Sequence, residues 1–239
     1  MAPALPLAVV LVVAVAALCG CGAHAPERGG ATARTVLLTG FEPFGARTVN
    51  DSWEAVRVLD GATVRGRRVV VARLPVVYDA VEGPLRAAIE RERPEVVLSF
   101  GEGTEVVRVE TVGRNAYNAK RPADNAGRPP PRDAIEPAGP AAVDGALPAS
   151  RIVAAWGRAG IPSRASDDAG GYLCNECLYR LMRYAGPVAT GVRRRGFVHL
   201  PVAGTARPDG GTWDLSTLRE AARVAVEETL ADLDASNLR

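Results

Sequence analysis

The chain has 239 residues, of which 47% are hydrophobic and 23% charged, and its formal net charge is only +2. That length holds one compact domain with a sizeable core once a leading segment is set aside. The near-neutral balance offers no basic face and argues against nucleic acid as a partner.

Residues 1–21 differ from everything that follows. The apolar run over 7–18 is short for a membrane span, which needs about 20 apolar residues, and it has the length of a signal-peptide core. It ends in Leu18-Cys19-Gly20-Cys21, similar to a bacterial lipobox. That ending predicts a lipidated Cys21, export to the cell envelope and a membrane anchor. No Lys or Arg precedes the run, so a plain signal peptide and a retained anchor stay open as alternatives. Residues 22–33 read as a polar, Gly-rich tether, and 34–239 as a single α/β domain.

Within that domain a short strand is expected over 34–39, then a glycine-bearing loop over 40–45. Trp53, Val56 and Leu59 have helical spacing over 50–59. A β-branched run marks a strand within 64–74. Val81, Leu85, Ala88 and Ile89 form one face of a helix that Pro94 stops. Strands follow over 96–100 and 105–112. The polar, Pro- and Gly-rich stretch 115–145 reads as an active-site loop or a partly disordered one. A helix over 149–159, an extended piece over 163–168, a helix over 173–184 and a strand over 196–202 come next. The capping-box spacing of Thr217 and Glu220 is expected to open a last helix reaching about 233. Alternating strands and helices predict a three-layer α/β/α sandwich with a mostly parallel twisted sheet. Chemistry in such folds gathers at the carboxyl ends of strands, near 40–45, 101–104, 168–174 and 199–201.

With the leading segment set aside, the domain holds two cysteines, Cys174 and Cys177, and one histidine, His199. Cys174 follows a double glycine and opens a predicted helix, where unpaired N–H groups and the helix dipole favour a thiolate or an oxyanion. A small buried hydrophobe is the ordinary alternative for a lone cysteine. His199 sits between Val198 and Leu200, as a core histidine would, but lies near a strand end and is the sole base available to a cysteine nucleophile. Glu110, in an alternating stretch, reads either as a solvated strand residue or as the acid that orients an imidazole. The Cys174-x-x-Cys177 spacing also leaves open redox chemistry and, with too few further ligands, zinc.

Taken together these segments resemble pyroglutamyl peptidase I. The resemblance rests on Thr39-Gly40-Phe41-Glu42-Pro43-Phe44-Gly45 with Asn50, Ser52 and Trp53, and on Ala169-Gly170-Gly171-Tyr172-Leu173-Cys174-Asn175. It rests also on Gly196-Phe197-Val198-His199-Leu200-Pro201, and on Glu110 followed by Asn115 and Asp124-Asn125. It implies a cysteine peptidase that removes N-terminal pyroglutamyl residues, with Cys174 as nucleophile, His199 as base and Glu110 as orienting acid. It implies a blocked peptide as substrate, an apolar ring pocket that includes Phe41 and Phe44, no metal or other cofactor, and a possible homo-oligomer. Two departures stand out. Gly101-Glu102-Gly103-Thr104 is shorter than the family's loop and puts a carboxylate where the family has an uncharged residue, raising the expectation of a substrate with a free amine. The family's arginine beyond the acid falls at Arg121 one residue out of step, with Lys120 competing. An inactive binding lipoprotein of the same fold and an exported thiol–disulfide protein are the competing functions.

Overall fold

The computed structural model describes Met1 and residues 34–131, 134–185 and 190–238. The chain divides into Met1–Ala31 and Thr32–Arg239, and the fold is that of the second unit. Its elements are β1 (Thr35–Phe41), α1 (Asp51–Val56), β2 (Thr63–Val64), β3 (Arg67–Leu74), α2 (Glu82–Glu92), β4 (Val96–Thr104), β5 (Val107–Glu110), β6 (Val112–Arg114), β7 (Ala142–Asp144), α3 (Ala149–Arg158), β8 (Ser163–Ser166), α4 (Leu173–Tyr184), β9 (Arg194–Pro201) and α5 (Leu215–Asn237).

Seven strands form one sheet in the order β2-β3-β1-β4-β9-β5-β8. β3, β1, β4 and β9 run parallel to one another, whereas β2 pairs antiparallel with β3, and β5 pairs antiparallel with β9 and parallel with β8. Helices cover both faces, giving the three-layer sandwich. Strand residues alternate sides, and the two cores follow that parity. Val36, Leu38, Leu98, Phe100, Val107, Val109, Val198 and Leu200 pack with α1, α3 and α5. Leu37, Phe41, Val97 and Phe197 pack with α2 and α4. The residues between them in sequence, Gly101, Arg108, Glu110 and His199, therefore face the α4 side.

Several boundaries differ from expectation for physical reasons. The piece over 64–74 is a hairpin, because Arg65 and Gly66 take positive φ (46° and 75°) and turn the chain between β2 and β3. The strand expected over 105–112 breaks after Glu110: the Thr111 N–H goes to the Ser166 carbonyl (2.7 Å), and Val112 joins a second sheet opposite Asp144. α5 starts earlier than the Thr217 signal, since Asp214 is its cap and accepts the Thr217 N–H at 2.8 Å. The stretch after β6 is held rather than loose. Asn115 donates to the Glu136 carbonyl (2.8 Å) and accepts its N–H (2.8 Å), and Asn175 of α4 accepts the Arg114 N–H while donating to the carbonyls of Arg114 and Ala116.

Candidate active site

Gly170 and Gly171 both take positive φ, and a Cβ at either would run into Arg121 or Asn118 within 3 Å, so this turn needs glycine. It delivers the chain into α4 with Cys174 as the helix's second residue. Tyr172 at the N-cap makes no side-chain capping bond, which leaves the first turn's N–H groups directed at the space beside the thiol. Cys174 is half-buried and its thiol is free, as is that of the fully buried Cys177.

His199 and Glu110 meet across neighbouring strands, with His199 Nδ1 2.8 Å from Glu110 Oε1 and both side chains buried. Opposite His199 on β4 stands Gly101. A Cβ at Gly101 would lie 2.7 Å from Cys174 Sγ and 2.7 Å from Phe197 Cζ. The thiol thus occupies the space that a side chain beside His199 would otherwise take. Burial lowers the His199 pKa, the bond and charge of Glu110 raise it, and Arg108 and Arg121 lower it further; the net shift is downward. Burial pushes the Cys174 thiol up. Without substrate the pair is therefore a neutral imidazole beside a protonated thiol, suited to general-base removal of the thiol proton.

One side of Cys174 opens on a small pocket that includes Phe41, Phe44, Val76, Tyr172 and Glu102 in its wall. The expected aromatic pair thus lies against Cys174. Glu102 accepts the Asp51 N–H and is 3.3 Å from Arg47, which also pairs with Asp51 at 2.9 Å. Burial pushes its carboxyl up to about 7, opposed by the Asp51 N–H and the Arg47 charge. With Arg47 already beside it, Glu102 is a poor seat for a second cation, which weighs against the free-amine substrate. Arg121 is not part of this wall. Its Nε donates to the Gly170 carbonyl at 2.7 Å, bracing the glycine turn from a neighbouring groove. Lys120 contributes only a backbone N–H, to Asn118. Asp124 accepts N–H groups of Tyr78, Ala126 and Arg128, and Asn125 donates to Glu42 and Pro43, so this pair ties loops together behind the pocket.

Sequence reasoning missed Arg47, Asn175 and Arg108. Strand parity was the signal available for Arg108, since it stands two residues from Glu110 and so on the same face. Nothing local marked the tie of Arg47 to Glu102, 55 residues distant, or those of Asn175 to Arg114 and Ala116, about 60 residues distant. Among the described residues no group of three or more His, Cys, Asp and Glu side chains is placed to hold a metal ion.

A sequence model of the pyroglutamyl peptidase family matches residues 34–228. The chain belongs to the pyroglutamyl peptidase family. It is similar to the pyrrolidone-carboxylate peptidase of Chromobacterium violaceum, 40% identical over 202 residues, covering 82% of this chain and 93% of that one. The pyrrolidone-carboxylate peptidase of Gloeobacter violaceus is 44% identical over 168 residues, covering 70% and 80%. Among solved structures, the pyroglutamyl peptidase I from Bacillus amyloliquefaciens superposes with a TM-score of 0.74 at 34% identity, covering 82% of this chain and 95% of that one. A mutant pyrrolidone carboxyl peptidase from Pyrococcus furiosus superposes with a TM-score of 0.75 at 29% identity, covering 83% and 99%.

The expectation of an exported, lipid-anchored protein is corrected by these relatives. Likeness to the family begins at residue 34 and spans nearly the whole length of its members, so an envelope lipoprotein is not what this chain is similar to. The leading segment also has no cation before its apolar run. Cys21 lies outside the described residues. No helix among the described residues is long and apolar enough to cross a membrane.

Proposed function

We propose that this cysteine-type exopeptidase hydrolyses the bond after an N-terminal pyroglutamyl residue, using Cys174, His199 and Glu110 as its triad. The observation that carries the reading is the buried His199–Glu110 pair at 2.8 Å on the sheet face beneath the Cys174 helix. The uncharged pyrrolidone ring enters the pocket walled by Phe41, Phe44 and Tyr172, which excludes water and leaves the residue's exocyclic carbonyl, the one bonded to the next residue's nitrogen, at the thiol. His199 takes the Cys174 proton as sulfur attacks that carbonyl. The first-turn N–H groups of α4 receive the oxyanion of the tetrahedral intermediate. His199 then gives its proton to the departing peptide amine, leaving an acyl-enzyme and a free new N-terminus. Water, deprotonated by His199, attacks the thioester, and 5-oxoproline leaves as the thiol is restored. Glu110 holds the imidazole in the tautomer with Nδ1–H toward the carboxylate, so that Nε2 stays free for the thiol.

The test is hydrolysis of a fluorogenic pyroglutamyl amide by the full chain beside Cys174→Ala and His199→Ala. Loss of at least about 10³-fold in kcat/KM is expected in each variant, as for removal of a triad member. Turnover that survives Cys174→Ala would remove the thiol from the mechanism.

A further inference from the structure

The triad acid is claimed by a second partner, a cation. Arg108 lies two residues before Glu110 on β5 and directly opposite His199 in the antiparallel register with β9. Its Nε is 3.1 Å from Glu110 Oε1, the same oxygen that holds His199 Nδ1 at 2.8 Å. The contact is an ion pair without a hydrogen bond: Arg108 Nε and Glu110 Oε2 are both buried and both lack a hydrogen-bond partner. An unpaired buried donor beside an unpaired buried acceptor is costly unless it serves the site.

We propose that Arg108 is a positioning residue for this reaction, sharing the Glu110 carboxylate with His199 and so setting how readily His199 takes and returns its proton. The inference rests on the triad reading above. Two cations on one buried carboxylate oppose each other. As His199 becomes an imidazolium during attack, Arg108 resists it, and it resists again until the proton is handed to the leaving amine. A small turn of the carboxylate satisfies both orphaned atoms, with Oε2 taking the Arg108 Nε–H while Oε1 keeps the imidazole. The other charged or titratable groups around His199 are Arg121 from the glycine turn, Cys174 on α4, and Glu102 on β4, which acts on the thiol. On the far side of β5, Arg164 of β8 is the register partner of Arg108. Of the positive groups, Arg108 alone touches the triad acid.

The experiment is the pH profile of kcat/KM for the full chain on a pyroglutamyl amide, measured for wild type, Arg108→Met, Arg108→Lys and Cys174→Ala. Removing the cation favours the imidazolium, so the acid limb of Arg108→Met is expected to move up by about half a unit to one unit. This costs roughly 3- to 10-fold in activity below the limb, with KM on the plateau little changed. Arg108→Lys restores the charge and is expected to return the limb toward wild type. If Arg108→Met does not fold, Arg108→Gln carries the test with the same criteria. An acid limb superposable on wild type, or a Lys variant displaced as far as Met, overturns the proposal. Where Cys174→Ala is inactive and the limb does not move, this inference alone fails. Where Cys174→Ala retains turnover, the triad reading fails and this inference falls with it.

Discussion

The contact that brings the thiol to the sheet can be tested by filling it. Gly101→Ala would place a Cβ 2.7 Å from Cys174 Sγ and 2.7 Å from Phe197 Cζ, about 1 Å inside the 3.5–4.0 Å separation of non-bonded carbons. The Phe197 ring has no room to yield. Phe197 is fully buried, with Phe41 at 6.4 Å and the His199 ring at 5.0 Å between centroids. Overpacking of this kind costs about 1–3 kcal/mol, which for a domain of roughly 200 residues lowers Tm by about 2–10 °C. The thiol, at the exposed end of the contact, is the part that moves. A displacement of about 1 Å costs on the order of 10²-fold in kcat. The comparison is Gly157→Ala, since a Cβ there meets nothing within 4 Å; it should leave kcat unchanged and Tm level or slightly raised. The assay is kcat and KM on a pyroglutamyl amide, with Tm and the rate of Cys174 alkylation. A Gly101→Ala enzyme with wild-type kcat and wild-type Tm would refute the packing argument and the closeness of the thiol to β4.

Other outcomes follow from the same geometry. Glu176 is fully buried on α4 and its carboxyl is pushed up to about 7, chiefly by burial and by the Asp79 charge; the native state therefore holds a proton that the unfolded chain has lost. Stability is then fully present below about pH 4.5, falls as pH rises, and has lost this contribution above about pH 7. Glu176→Gln should raise Tm at pH 8 and change it little at pH 5, and equal effects at both pH values would contradict the burial argument. Asn175→Ala removes three bonds to the chain at Arg114 and Ala116 and should cost about 2–4 kcal/mol in denaturant melts, with kcat falling as the segment after Glu110 loosens from α4. Cys177→Ala should keep turnover within a few-fold and lose about 1–2 kcal/mol of stability; loss of turnover without loss of fold would favour thiol–disulfide chemistry instead.

The layer order and most elements were legible in the sequence because each is signalled by local period. The apolar stripe of α4 and the short apolar runs of β1 and β4 need no distant information. Cys174 and His199 were singled out for a different reason: the domain offers so few thiols and imidazoles that scarcity narrowed the choice, whereas Glu110, one of many carboxylates, stood out through the resemblance to the family's acid block. The antiparallel β5, the break at Thr111 and the ordering of the stretch after it were not legible. They depend on Ser166, Asp144 and Asn175, partners too far along the chain for any window to connect. The role of Glu102 was open for the same reason, since its surroundings are set by Arg47 and Asp51 from another loop.

β5 is four residues long, and its two faces do unrelated work. Val107 and Val109 fill one core, while Glu110 meets His199 on the other side with Arg108 beside it. Because the pleat repeats every two residues, adding or deleting one residue between β4 and β5 would turn both charges into the α3 and α5 layer and present valines to His199. Such a strand tolerates a change of side chain far better than a change of count. Loop length on either side of Glu110 is thus a stricter constraint on descendants of this chain than the identity of most residues in those loops.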